Sequence, residues 1–392
     1  MPPIAVLSLR KRRGAAVDPQ IRPESIRACG RSRKREPSRR GDGDDGRVIE
    51  VRTLNDGGQR ALAVAGWIAD FVGSAEHTLE LAQYDFHLKP ETASVVGGAI
   101  RKAAARGVAV RILYNVDHRN PIPVPPPPEP DAKLIGSLGV PAKAIAGVPD
   151  LMHHKYAIRD SGAVWTGSMN WTDDSFSIQE NVVATVGSTE VASRYRTAFE
   201  QLWTTGDVER SGAVEPLPLS VNGTSVRAWF TPGYGEALSA RIAKQIASSR
   251  RRVRICSPVL TAAPVLATLA HRVSDDRLDI AGCLDAPQLR GVIHQWNENG
   301  NVFWKLPLLQ RVLDAPFSGK PSTPWEPEGV PHDFMHAKVT VADDVVFVGS
   351  FNLSHSGEQN AEDMLEIHDT QLADRLAAYV DEVRARYPRF VP

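Results

Sequence analysis

The sequence predicts an α/β protein built from two tandem repeats of one unit, each with a mixed, mostly parallel sheet flanked by helices. The chain has 392 residues, which is enough for two domains of ordinary size. Strand and helix patterns alternate from residue 48, and the same series starts again near residue 225. A His-x-Lys stretch at residues 153–170 also returns at residues 336–352. Alternation of this kind is typical of a sheet covered by helices.

The first repeat is predicted from its hydrophobic pattern. β-rich runs predict strands, and apolar residues at helical spacing predict helices. The predicted strands are 48–54, 78–84, 108–114 and 181–186, and the predicted helices are 59–71, 94–106 and 191–203. The long stretch 115–152 has no clear period and contains the run PIPVPPPPEP. We interpret this run as a stiff polyproline loop, with a ligand for a proline-binding partner as the alternative.

The second repeat follows the same order after a polar linker. Its predicted strands are 226–230, 253–257, 278–284 and 364–367, and its predicted helices are 237–247, 263–272 and 372–383. A second irregular insertion occupies 285–335. The predicted division is therefore a disordered basic tail (1–46), an N-terminal repeat (47–205), a linker (206–224) and a C-terminal repeat (225–392).

Charge and composition limit the classes of function. The tail carries 12 Lys and Arg against 6 Asp and Glu, so the rest of this neutral chain has a net charge of −6, which disfavours duplex DNA as a partner. The tail is interpreted as solvated, with a tether to nucleic acid or anionic lipid as the alternative. Cys256 and Cys283 are predicted to be buried and unpaired. No apolar run reaches the roughly 18 residues of a membrane span, and no signal peptide is evident, so a cytoplasmic protein is expected.

The repeated stretch combines residue types suited to phosphate chemistry. Its histidine and lysine lie two residues apart on a predicted strand, so both side chains point to one face. An aspartate closes that strand at a turn, a Gly-Ser-x-Asn turn follows, and a glutamate opens the next strand. The first copy is His153, Lys155, Asp160, Gly167, Ser168, Asn170 and Glu180. The second copy is His336, Lys338, Asp343, Gly349, Ser350, Asn352 and Glu362.

One such copy forms half of a phosphate site, and two facing copies form a whole one. One histidine can attack phosphorus while the other protonates the leaving oxygen, and the roles exchange in the second step. The paired lysines and asparagines would hold the nonbridging oxygens. Each glutamate is suited to accept a hydrogen bond from the other ring nitrogen of its histidine. This chemistry requires no metal and no cofactor.

The duplicated H-x-K-x4-D, G-S-x-N and Glu pattern resembles the phospholipase D superfamily, and the order of elements over about residues 48–390 fits as well. The resemblance implies a covalent phosphohistidine intermediate, then hydrolysis or transfer to an alcohol. It implies that the histidines, lysines and glutamates are the catalytic set and that the lysines, asparagines and serines form the phosphate site. The motif aspartates and glycines are structural in this family. We favour His153 as nucleophile and His336 as general acid.

One departure from exact repetition is the gap between aspartate and glycine, six residues in the first copy and five in the second. The hairpin turn can absorb this difference. Of the remaining histidines, His154 should face the opposite side of the strand from His153. His332 is a candidate for lining the pocket.

The motif reads only the phosphate, so the long loops before each motif are expected to set specificity. The second insertion contains several apolar residues: Trp296, Phe303, Trp304, Leu306, Leu308, Leu309, Phe317 and Trp325. They suit either an interfacial rim that dips into lipid or a lid over the cleft.

The leading hypothesis for the function is a monomeric phosphodiesterase acting on phospholipid head groups, peripheral to a membrane. The lack of predicted membrane-spanning helices disfavours a membrane-embedded synthase of the cardiolipin type. The alternative is a metal-independent nuclease of the same superfamily, and a degenerate, inactive scaffold is the third hypothesis.

Overall fold

Two mixed β-sheets, one in each repeat, form the framework of this computed structural model. The structure describes residues 48–117, 130–298, 300–323 and 332–392. The predicted tail at 1–46 lies outside these residues, as do most of the proline run and Trp325. All the described residues belong to one compact unit.

The first repeat contains the predicted elements and some that the sequence did not indicate. Its strands are β1 (Ile49–Leu54), β2 (Thr78–Gln83), β3 (Phe86–His87), β4 (Ala109–Val116), β5 (Ala142–Ala146), β6 (Lys155–Arg159), β7 (Ala163–Gly167), β8 (Trp171–Thr172) and β9 (Asn181–Gly187). Its helices are α1 (Ala61–Gly73), α2 (Pro90–Ala105), α3 (Ala132–Ser137), α4 (Asp173–Ser177) and α5 (Thr189–Thr205). Thus α3 and β5 lie in a stretch that was predicted to be irregular.

The second repeat has the same plan. Its strands are β10 (Leu219–Val221), β11 (Thr224–Phe230), β12 (Arg252–Ser257), β13 (Asp279–Asp285), β14 (Phe317–Lys320), β15 (Val339–Ala342), β16 (Val345–Gly349) and β17 (Asp363–His368). Its helices are α6 (Gly235–Ser248), α7 (Ala263–Arg272), α8 (Ala286–Glu298), α9 (Lys305–Val312), α10 (His355–Gln359) and α11 (Thr370–Arg386). The insertion therefore carries α8, α9 and β14, and the linker carries β10.

Strand order is equivalent in the two large sheets. The first sheet runs β1-β9-β7-β6-β2-β4-β5, and the second runs β10-β11-β17-β16-β15-β12-β13-β14. Parallel pairing joins β2, β4 and β5 in the first sheet and β12, β13 and β14 in the second, while the other neighbours are antiparallel. Most strands of the first sheet nevertheless run in one direction, because β1 and β7 are oriented like β2. The predicted α/β class with two tandem repeats is confirmed.

The two sheets share a central core that holds the repeats together. One cluster of buried side chains contains residues from both sheets and the apolar faces of α5 and α11. Tyr195 and Phe199 of α5 and Leu376 and Val380 of α11 are fully buried, as their helical spacing predicted. Each sheet packs its other face against its own helices, α1 and α2 in the first repeat and α6 to α9 in the second. Because of this packing, the ends of the two repeats that carry the motifs face each other.

The two buried cysteines lie where the sequence predicted. Cys256 of β12 and Cys283 of β13 are register partners on neighbouring strands, and both are unpaired thiols. Within the described ranges, no helix has both the length and the apolar character needed to cross a bilayer.

Candidate active site

A cavity of about 1030 Å³ opens where the two repeats meet. His153 and Asn170 of the first repeat and His336 and Asn352 of the second all line it. Each histidine is held by the backbone of the other repeat, since the amide of His153 donates to the carbonyl of Ala361 and that of His336 to the carbonyl of Glu180. The structure therefore brings the two predicted half-sites together in one cavity.

Both motif lysines make the same contact. Lys155 Nζ donates to the carbonyl oxygen of His153 at 2.7 Å, and Lys338 Nζ donates to that of His336 at 2.8 Å. Both side chains are buried, and burial lowers the pKa of Lys155 to about 7 against the opposing charges of Glu362 and Asp363. Burial also lowers the pKa of Lys338 well below its ordinary value. An anion bound between the two lysines would raise their pKa values. Both ammonium groups would then be charged and would attract the anion.

The motif aspartates are structural. The carboxylate of Asp160 accepts hydrogen bonds from the backbone amides of Glu76, His77 and Thr78 at the start of β2. Asp343 accepts from the amides of residues 250–252 at the start of β12. Burial raises their pKa, but these amide hydrogen bonds outweigh it and lower the pKa of both carboxyls overall. Each aspartate ties a motif hairpin to the neighbouring strand, away from the cavity.

The one-residue difference between the copies lies in the hairpin turn, as expected. Arg159 pairs with Ala163 across a three-residue turn, whereas Ala342 pairs with Val345 across a two-residue turn. The following glycines allow a close approach of two strands. A Cβ at Gly167 would lie 2.2 Å from the carbonyl oxygen of Val182, and one at Gly349 would lie 2.2 Å from that of Asp363. Any larger residue would push the next strand away.

The motif serines fix the turn to the strand that follows it. Ser168 Oγ donates to Asn181 Oδ1 at 2.7 Å and accepts from the amide of Val182 at 3.0 Å. Ser350 Oγ accepts from the amide of Asp363 at 2.9 Å. These hydroxyls shape the site, while phosphate binding by them stays a prediction.

The motif asparagines remain available to a ligand. The Oδ1 atoms of Asn170 and Asn352 are buried without a hydrogen-bond partner in the part of the chain that the structure describes. Both residues line the cavity next to the histidines. An oxyanion there would take its hydrogen bond from the Nδ2 group of each amide, whereas Oδ1 can only accept.

The contacts of the two glutamates differ from the predicted pairing, in which each glutamate contacts the histidine of its own repeat. Glu362 Oε2 lies 2.7 Å from Nδ1 of His153, the histidine of the other repeat. Glu180 does not contact either histidine side chain among the described residues; it pairs with Lys320 Nζ at 2.9 Å and accepts from the Tyr387 hydroxyl. The pairing crosses between repeats because the motif edges face each other, and Lys320 holds the second glutamate elsewhere.

His336 has an amide partner in place of a carboxylate. Its Nδ1 lies 3.2 Å from Asn181 Oδ1, and Asn181 occupies the position equivalent to Asp363. Burial, joined by the charges of Lys338 and Lys155, holds the pKa of His336 well below its ordinary value. His153, in contrast, faces Glu362, whose pKa burial raises to about 8 despite the nearby lysines. The two half-sites have the same backbone arrangement but differ in the side chain that faces Nδ1 of each imidazole.

Asp363 supports the site from behind. Its carboxylate accepts from the hydroxyls of Tyr195 and Thr166 and lies 3.4 Å from Nδ1 of His154. His154 thus points away from His153, as the strand alternation predicted.

Two positioning residues were not recognised in the sequence. Asn115 Oδ1 accepts from the amide of Met152 at 2.9 Å, and Asp285 Oδ2 accepts from the amide of Met335 at 3.1 Å. Each bond fixes the residue just before a motif histidine. Asn115 and Asp285 occupy equivalent places near the ends of β4 and β13, so aligning the two repeats would have found them.

The second insertion forms one wall of the cavity and part of its rim. Trp296, Val302 and Lys305 line the cavity, and Phe303 and Trp304 beside them are 58% and 46% exposed. Leu309 and Phe317 are instead buried in the core of the second repeat. His332 lines the cavity, as predicted, and burial lowers its pKa to about 4.

The arrangement can bind a phosphodiester and transfer it. Two imidazoles face one cavity from opposite repeats, with buried lysines and the side-chain amides of Asn170 and Asn352 beside them. Since Nδ1 of each ring is engaged, attack or proton transfer in such a site would be carried out by Nε2. Such a pair can supply a nucleophile and an acid.

Comparisons with known proteins bear on the same segments. A family model described as "Cardiolipin synthase, PLD-like domain" matches residues 68–203 and 242–384, one segment in each repeat. A mouse protein named mitochondrial cardiolipin hydrolase is 28% identical over 132 residues, which make up 33% of this chain and 53% of the mouse protein. The chain thus spans about half the length of that curated relative.

Two solved structures share the fold over most of the chain. Phosphatidylserine synthase from Haemophilus influenzae Rd KW20 has a TM-score of 0.57, 13% identity, and coverage of 86% of this chain and 85% of that one. Polyphosphate kinase from Porphyromonas gingivalis has a TM-score of 0.57 and 12% identity, with 86% of this chain and 47% of that one covered. At this level of identity the likeness concerns the fold alone.

Proposed function

Because the chain belongs to the phospholipase D superfamily, we propose that it is a phosphodiesterase that cleaves head-group phosphodiesters of phospholipids. The observation that carries this proposal is the meeting of both motif histidines and both motif asparagines in one cavity between the repeats. The reaction proceeds through a covalent phosphohistidine, and the acceptor in the second step is water or an alcohol.

In the first step, Nε2 of His153 attacks phosphorus and the bond from phosphorus to the head-group oxygen breaks. His336 gives its proton to that oxygen, and the head-group alcohol leaves. Glu362 on Nδ1 supports this role. The positive charge that attack places on the His153 ring lowers the raised pKa of Glu362, and the ionised carboxylate stabilises that charge.

In the second step, a water or alcohol oxygen attacks the same phosphorus and the bond to His153 Nε2 breaks. His336, now neutral, takes the proton from the attacking oxygen and is ready for the next cycle. Burial and the charges of the two motif lysines lower the pKa of His336, and the negative charge of the bound phosphoryl group raises it again, so that the ring can both give and take a proton during the cycle.

The exposed aromatic side chains beside the cavity favour a lipid as the substrate. Phe303 and Trp304 present aromatic surface next to residues that line the cavity, and aromatic side chains suit the interface of a bilayer. The curated relative and the matching family model carry names from cardiolipin metabolism. We therefore place the protein peripherally on a membrane surface, acting as a monomer because both half-sites lie in one chain.

The test uses the purified full-length protein with chelator present. Vesicles of phosphatidylcholine, phosphatidylglycerol or cardiolipin are incubated with ethanol, and single-stranded DNA is incubated separately. Release of head group together with phosphatidylethanol is the expected result. Cleavage of DNA without any lipid product would contradict the proposal and favour the nuclease.

A further inference from the structure

One carboxylate in the cavity has no role in the proposed chemistry. Asp85 lies two residues after the end of β2 and lines the cavity together with His153 and Asn170. The residue is 4% exposed, and its Oδ1 is buried without a hydrogen-bond partner among the described residues. A buried carboxylate that lacks a partner is costly, so a cation bound from the cavity would stabilise it.

Asp85 lies close to the half-site of the nucleophile. The preceding residue, Tyr84, packs the edge of its ring against His153, with ring centroids 4.5 Å apart. Lys155 Nζ lies 4.6 Å from the same ring but donates to the carbonyl oxygen of His153, and no ion pair joins it to Asp85. Among the described residues Asp85 therefore has no direct ion-pair partner, and the charge of Lys155 acts on it only at longer range.

A second acid strengthens the negative potential at this end of the cavity. Asp174 at the start of α4 also lines the cavity. Burial raises the pKa of Asp85 to about 7, Asp174 adds to that rise, and Lys155 opposes it. A ligand cation next to Asp85 would offset the burial and keep the carboxylate ionised.

The cavity thus has cationic groups at the phosphate position and an unpartnered carboxylate beside them. We propose that Asp85 is a specificity-determining residue that selects substrates with an ammonium group next to the scissile phosphodiester, such as zwitterionic phospholipids. Substrates with a further negative charge there, such as a second phosphate, are repelled by the same carboxylate. This inference rests on the proposed function of the site.

The experiment measures selectivity with soluble short-chain lipids, which removes differences in vesicle binding. kcat/KM is determined for dioctanoyl phosphatidylcholine and dioctanoyl phosphatidylglycerol with the wild type, Asp85→Asn and Glu298→Gln. Glu298 also lines the cavity, but it is an exposed acid at the end of α8, so its variant controls for loss of one charge. The wild type should prefer phosphatidylcholine, and Asp85→Asn should lower the phosphatidylcholine-to-phosphatidylglycerol ratio about tenfold or more. Glu298→Gln should keep the wild-type ratio.

An unchanged ratio in Asp85→Asn would overturn the role of Asp85 and leave the proposed function standing. Cleavage of neither lipid by the wild type would overturn both. A second measurement does not depend on the variant folding: phosphocholine should inhibit wild-type turnover of a p-nitrophenyl phosphodiester more strongly than glycerol 3-phosphate does. Equal inhibition by the two compounds would also contradict the role of Asp85.

Discussion

The two half-sites share a motif and a fold, yet their histidines have different partners. Each histidine is held by the backbone of the opposite repeat, and each lysine donates to the carbonyl of its own histidine. However, His153 faces the carboxylate of Glu362, while His336 faces the amide oxygen of Asn181. Lys320 and Tyr387 hold the glutamate that symmetry would give to His336. The difference gives the two histidines distinct surroundings, and the proposed division into nucleophile and acid depends on it.

The largest expected effect comes from removing either histidine. His153→Ala and His336→Ala should each lower kcat on phospholipid by about three orders of magnitude or more while the fold survives. A p-nitrophenyl phosphodiester, whose leaving group needs no proton, should restore much of the rate of His336→Ala and little of that of His153→Ala. Equal rescue of both variants would contradict the division of roles.

Next in size is the effect of the glutamates, which form a matched pair of variants. Glu362→Gln should lower kcat by about 10- to 100-fold, because His153 loses the carboxylate that orients it and stabilises its positive charge. Glu180→Gln should lower the melting temperature more than it lowers kcat, since it leaves Lys320 with a weaker partner in a buried place. Steady-state kinetics and thermal unfolding separate the two outcomes. A larger loss of kcat in Glu180→Gln would count against the crossed pairing.

Anion binding should weaken as the pH rises. Lys155 has a folded pKa of about 7, below its ordinary value, so it is charged below that pH and neutral above it. Competitive inhibition by dimethyl phosphate, which stays a monoanion throughout, should weaken by up to about tenfold per pH unit above pH 7. Lys155→Arg should flatten this dependence, because arginine stays charged. Inhibition that is constant from about pH 6 to about pH 9 would contradict the assignment.

The smallest effect should come from giving His336 a carboxylate. Asn181→Asp places a negative charge at Nδ1, which raises the pKa of His336 and makes it hold its proton to higher pH. The alkaline limb of the kcat/KM profile should therefore move upward by about one pH unit. An unmoved limb would show that the proton-donating group is not His336.

The sequence was sufficient to predict the repeats, because the hydrophobic periods and the duplicated motif appear twice in the same order. It also predicted the buried faces of α5 and α11, as with Tyr195 and Leu376. It did not indicate α8, α9 or β14, since α9 and β14 are short and all three lie within a stretch broken by polar residues. In β14, for example, the buried residue Lys320 is a lysine that forms ion pairs with Glu180 and Asp56. Hydrophobic patterns cannot identify such a buried position.

The site residues were easier to predict than their pairing. Composition and spacing identified the histidines, lysines, asparagines and glutamates, but which glutamate meets which histidine depends on how the two repeats face each other. That relation is a tertiary property: His153 meets Glu362 across 209 residues of sequence. Likewise, Asp85 carries no motif, and only its burial without a partner marks it.

The central claim, that the half-sites divide the roles of nucleophile and acid, is tested most directly by locating the covalent intermediate. The full-length protein is mixed with a phospholipid substrate, quenched within the first turnover, digested at alkaline pH and analysed by mass spectrometry. The account predicts a phosphatidyl adduct on the peptide that contains His153. An adduct on the peptide that contains His336 would contradict it.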